Sequence, residues 1–143
     1  MDATITVTLV NAVGDPIQGY PYDDIWLETT EGGLVSCTLG SAPEGSTDAN
    51  GQTSWTLPLA AGGCSEGEGL QVYVAGAPLQ MAPIDLTVNS ADMNGDLEIN
   101  LTDISLFTQS LATYSYAGDF NFDGSINLSD VARFAAAIGG WCY

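Results

Sequence analysis

The chain has 143 residues, with 18 Asp and Glu against a single basic residue and no His, for a formal charge of −17. That field repels nucleic acid and anionic membrane surfaces, and without His or Lys a Ser or Cys nucleophile lacks its usual base. The length suits one ordinary domain or two small ones, and no apolar run approaches the ~18 residues of a membrane span.

The first 90 residues read as short strands divided by turns. Thr4 to Leu9 alternates strictly, with Ile5, Val7 and Leu9 on one face, and Asn11 to Pro16 supplies turn chemistry. Further strands are expected at Asp24–Thr30, Leu34–Leu39, Gln52–Leu57, Leu70–Ala75 and Ile84–Val88, separated by clusters such as Asp48-Ala49-Asn50-Gly51. About six strands at near-regular spacing point to an all-β sandwich. The stretches Thr6 to Ile17 and Thr47 to Leu57 resemble bacterial Ig-like modules of the invasin-repeat kind, which implies a spacer or adhesion role.

Carboxylate pairs such as Asp23 with Asp24 or Glu66 with Glu68 are the remaining catalytic candidates, but adjacent strand residues point to opposite faces, so no enzymatic activity is expected. Cys37 with Cys64 is the expected disulfide of a small secreted module, leaving Cys142 odd. The alternatives are Cys37 or Cys64 with Cys142, or no bridge. Trp55 is expected in the core. Trp26, between Ile25 and Leu27, points outward and with Tyr20, Tyr22 and Tyr73 offers ordinary surface packing, a contact for the second half or a sugar-stacking platform.

Only Asn89-Ser90-Ala91 separates the last expected strand from the most informative part of the chain. From Asp92 to Asp103 and from Asp119 to Asp130, oxygen-bearing side chains fall at loop positions 1, 3, 5, 9 and 12. This is calcium-loop spacing: a hard cation takes 6–8 oxygens, which a 12-residue loop supplies from alternate side chains, the carbonyl at position 7 and a carboxylate at position 12. The second copy follows the first by 27 residues. Past the loops, Leu101, Ile104, Phe107 and Leu111 correspond to Leu128, Val131, Phe134 and Ile138, a stripe at helical spacing. Asn100 and Asn127 stand where they can cap those helices, with Asp103 and Asp130 in the first turn. No entering helix is expected before either loop. Leu97 occupies position 6, where Gly is usual, and a left-handed conformation there costs on the order of 1–2 kcal/mol, so the first loop is expected to be distorted or weaker.

Two loop–helix units about 27 residues apart, with Asn at position 9, Thr or Ser at 11 and Asp at 12, resemble the dockerin family over roughly residues 90–143. The resemblance implies two calcium ions. Their ligands would be Asp92, Asn94, Asp96, Glu98 through its carbonyl, Asn100 and Asp103, then Asp119, Asn121, Asp123, Ser125 through its carbonyl, Asn127 and Asp130. It also implies docking to a cohesin domain through Leu101, Thr102, Leu128 and Ser129. Arg133 is the one cation available there, so contacts would be mainly apolar and hydroxyl.

The expected molecule is therefore multidomain. Residues 1–89 form an Ig-like β-sandwich and residues 90–143 a small all-α dockerin-like domain, the two touching across the short junction and the second ordered by calcium. It would be monomeric and act as a non-catalytic assembly module. With no basic-then-apolar leader after Met1, it is expected to be the C-terminal part of a larger secreted bacterial protein. The alternatives are a calcium-braced structural or adhesion terminus, and a carbohydrate-binding module. Trp141 and Tyr143 are expected to pack near residues 88–92 or against the first half.

Overall fold

In the computed structural model, which describes residues 4–142, β1 (Ile5–Thr8) runs antiparallel to β4 (Gln52–Trp55), placing Ile5 opposite Trp55 and Val7 opposite Thr53. The second sheet joins β2 (Ile25–Thr29) to β6 (Leu70–Val74) and β6 to the two-residue β7 (Ala77–Pro78). A third pairs β3 (Leu34–Ser36) with β5 (Ala61–Gly63). The period-2 pattern determines what is buried: Ile25, Leu27, Leu70 and Val72 are fully inside, and Val7, Leu9, Ile25, Leu27, Trp55 and Val72 make one core cluster. Trp55 keeps its polar atom satisfied by donating its indole N–H to the Ser41 carbonyl at 2.9 Å.

Two segments depart from the alternation argument. Ile84–Val88 is not a strand. Ile84 exchanges hydrogen bonds with Leu70 (2.9 and 2.7 Å), but the Leu86 N–H turns back to the Ile84 carbonyl at 2.9 Å, and this three-residue turn ends the ladder. In contrast, β5 carries two glycines and no apolar alternation, yet it pairs, because Gly63 at φ +84 lets the backbones of β3 and β5 approach.

The second half holds α1 (Leu101–Ala112) and α2 (Leu128–Ala137). Their shared interior is aromatic. Phe107 stacks on Phe134 with centroids 4.7 Å apart, and Phe120 stacks on both at 5.6 and 6.0 Å. The ends of the expected stripes are not in that core: Leu101, Leu111, Leu128 and Ile138 are all exposed.

The expected multidomain fold, an Ig-like sandwich joined to a separate all-α dockerin-like domain, is corrected by this architecture. The chain forms a small, mostly β domain with only two α-helices among the described residues, and its strands lie in sheets of two, three and two. The helices, of 12 and 10 residues, bury one aromatic each, Phe107 and Phe134, and helices this short are marginal without tertiary packing. They lean on the sheets. The Gly63 N–H donates to the Asp92 carbonyl at 2.7 Å, Ser65 and Val88 are joined twice (both 2.9 Å), and the Asn89 side-chain amide donates to the carbonyls of Tyr116 (3.0 Å) and Asp119 (2.8 Å).

The expected Cys37–Cys64 pair is also corrected. Cys37 bonds to Cys142, with Cα atoms 5.6 Å apart, and Cys64 is free. The β3–β5 register gives the reason: the Cys64 N–H bonds to the Gly33 carbonyl and the Cys37 N–H to the Ala60 carbonyl. The two cysteines are thus offset by four residues, about 13 Å along the ladder, beyond the ~7 Å Cα limit of a disulfide. Burial pushes the Cys64 thiol pKa up, opposed by a backbone hydrogen bond at Glu66 and reinforced by the Glu66 and Glu68 charges. Trp26 does turn away from the core; it stacks on Tyr73 at 5.6 Å and donates to the Glu28 carboxylate at 2.7 Å. The expected role of Tyr143 lies outside the described residues. No helix among the described residues is long and apolar enough to cross a membrane.

Candidate metal centre

Each acidic loop is organised by its first and last carboxylates. In the first loop, Asp103 is fully buried; its Oδ1 accepts the N–H groups of Met93 (2.8 Å) and Asn94 (3.2 Å), and its Oδ2 accepts that of Asn100 (2.9 Å). Asp130 does the same 27 positions later, with Phe120 (2.9 Å), Asn121 (3.3 Å) and Asn127 (2.9 Å). Asp92 is 4% exposed and gathers the N–H groups of Gly95, Asp96 and Leu97, while Asp119, 1% exposed, gathers those of Asp123 and Gly124. Amide donors pointing inward at these carboxylates close each loop around its own acids.

The same aspartates start the helices. Asn100 accepts from the Thr102 N–H and Asn127 from the Ser129 N–H, both at 2.8 Å, and Asp103 and Asp130 reach back to the cap N–H, completing a capping box at the start of each helix. Removing such a cap typically costs ~1 kcal/mol.

These frames bring the carboxylates of Asp92, Asp96 and Asp103 together, with one oxygen of each within 4.8 Å of the others. Among the described residues no basic side chain pairs with them, and Arg133, the sole base, lies exposed on a cleft of about 580 Å³ together with Trp55, Leu57, Phe120 and Phe122. The Asn94 side-chain amide, followed by the Glu98 N–H, holds the Asp96 carboxyl below the usual carboxylate range against a small opposing desolvation; the Asn121 side chain does the same for Asp123. Buried and half-screened anions this close repel one another unless a cation joins them. The donor set is all oxygen: three carboxylates, the Asn94 and Asn100 side-chain oxygens and the Glu98 carbonyl. That set fits a hard divalent cation of the calcium kind far better than zinc or copper.

Loop two is framed alike but is not gathered as tightly, since among the described residues its aspartates do not form such a trio. The Tyr114 hydroxyl donates to Asp119 Oδ2 at 3.1 Å, a contact with no counterpart in loop one. Backbone strain is shared between the loops in mirror fashion. Loop positions 4 and 6 are both left-handed: loop one places Gly95 (φ +71) and Leu97 (φ +71) there, loop two Phe122 (φ +58) and Gly124 (φ +82). The expected strain at Leu97 is present, but loop two carries its equivalent at Phe122, whose ring rests on Tyr116 at 5.7 Å.

Several supporting residues were not singled out from the sequence. Loop one packs directly on β5, so closely that a Cβ at Gly62 would stand 1.9 Å from Asp92 Oδ2. The chain end lies along its other side: Ile99 N–H to Gly140 carbonyl (2.8 Å), Gly139 N–H to Ile99 carbonyl (3.0 Å) and Cys142 N–H to Leu97 carbonyl (3.1 Å), with Glu98 bridged to Trp141. Glycines in a strand and after a helix were the only local signals. Of the expected partner-binding residues, Leu101 and Leu128 are 80% and 84% exposed at the first turn of each helix, and Thr102, Ser129 and Arg133 are exposed as well.

The chain matches no family model, no curated protein and no solved structure.

Proposed function

We propose that the chain is a non-catalytic calcium-binding assembly module of a secreted bacterial protein, holding two ions in its acidic loops and docking to a cohesin-type partner through the helices that follow. The observation that supports it most is the convergence of Asp92, Asp96 and Asp103, two of them almost without solvent contact, with no basic side chain among the described residues to offset them. The amide frame that repeats around Asp119 and Asp130 extends the argument to a second ion. In this scheme the ions neutralise the loops and fix the helix starts, since Asp103 and Asp130 belong to both.

The docking half of the proposal draws on Leu101 and Leu128. A large apolar side chain left almost wholly in water at the same position of two repeats is what a partner-facing residue looks like. Thr102 and Ser129 beside them supply hydroxyls.

The test is binding of the chain to an immobilised cohesin domain in millimolar calcium and again in chelator. Calcium-dependent retention that is lost in a Leu101→Asp/Leu128→Asp variant supports the proposal. Retention that ignores either calcium or both leucines sinks the docking claim while leaving the metal claim to calorimetry.

A further inference from the structure

We infer that the Cys37–Cys142 disulfide sets the calcium affinity of the first loop and not of the second, so that loop one becomes a competent site only when the chain is oxidised. The inference rests on the calcium reading of the loops and adds to it a redox condition on one of them.

The mechanical path is short. Residues 97–99 are loop positions 6–8, and position 7 is Glu98, whose carbonyl belongs to the ligand set. Three backbone hydrogen bonds join these residues to Gly139, Gly140 and Cys142. Those residues follow the C-cap of α2 at Ile138 and lie at the end of the described chain. The segment is also anchored covalently, Cys142 to Cys37, directly after β3. The anchor also bears on Leu97, which is held left-handed while the Cys142 N–H grips its carbonyl. With that anchor broken, Leu97 loses a restraint on its left-handed backbone and the Glu98 carbonyl can move with it.

Loop two has no such dependence. Its position 6 is Gly124, which adopts φ +82 freely, and its outside support includes Asn89 and Tyr114, whose side chains donate to Tyr116 and Asp119.

Reduction by a dithiol such as dithiothreitol breaks the Cys37–Cys142 bond, delivers two electrons and two protons to give two thiols, and converts the reductant to its own disulfide. Calcium titration calorimetry on full-length Asp123→Ala, in which loop one is the remaining site, is expected to show about a tenfold loss of affinity on reduction, a common size for coupling between sites. The same loss is expected without reductant in Asp123→Ala carrying Cys37→Ser and Cys142→Ser. In Asp96→Ala, where loop two remains, reduction should change the affinity less than about twofold, which also shows that the reduced chain is still folded. Loop-one affinity that is equal in both redox states overturns the inference alone, as does an equal loss in both loops. An oxidised wild-type chain that binds no calcium overturns the calcium reading, and the inference falls with it.

Discussion

The two acidic loops have the same hydrogen-bond frame and different surroundings. Loop one lies between β5, whose Gly62 leaves room for Asp92, and the disulfide-anchored chain end, and its three carboxylates meet. Loop two is open on its Gly124 side, where a Cβ would meet nothing within 4 Å, and is tied to the sheets through the Asn89 amide. The comparison separates what a loop motif specifies from what its context adds. The motif fixes the caps and the amides that gather around positions 1 and 12. The context decides how tightly the acids are drawn together.

The largest perturbation of this contrast is removal of the disulfide. It closes a loop of 105 residues, for which the chain-entropy account gives ~4–5 kcal/mol, and urea unfolding of Cys142→Ser should lose stability of that order. Next come the buried position-12 carboxylates. Asp103→Ala and Asp130→Ala each strand three amides and remove a cap, and each should cost roughly 3 kcal/mol and one calcium site. Costs that differ by more than about 1.5 kcal/mol would show that the shared frame is not what stabilises the loops. Gly62→Ala should act on loop one alone, costing about 1–3 kcal/mol by overpacking against Asp92 and abolishing one of two calcium sites in a titration.

Smaller effects sharpen the comparison further. Gly124→Ala meets only the left-handed backbone and should cost about 1 kcal/mol, whereas Gly95→Ala, whose Cβ would also press on the Val35 side chain at 3.2 Å, should cost more. Thermal denaturation of the pair tests the order. Tyr114→Phe removes the hydroxyl that donates to Asp119, and a loss of about 0.5–1 kcal/mol with loop-one calcium affinity unchanged is expected.

Much of the site was legible in the sequence because the 12-residue spacing and the asparagine caps are local. The helices begin at Leu101 and Leu128, directly after Asn100 and Asn127, because a cap and its reciprocal carboxylate need only four consecutive residues. Five of the expected strands also appear, trimmed at their ends, because half-buried alternation is a local signal too. What was not legible depends on contacts distant in sequence. Cys142 finds Cys37 rather than Cys64 finding it because of a strand register that no pattern announces. The pairing strand β5 hides behind its glycines, and Ile84–Val88 imitates a strand while touching its neighbours at only a few points. The division into a sandwich and a helical domain failed for the same reason. It treated the loop–helix units as self-sufficient, when Asp92 lies against Gly62 and Phe120 is needed to complete a core that Phe107 and Phe134 begin.

The most direct check on the central claim is calcium titration calorimetry on the oxidised, full-length chain at neutral pH. The account predicts two ions per chain, falling to one in Asp96→Ala and one in Asp123→Ala. A wild-type chain that takes up one ion or none contradicts it.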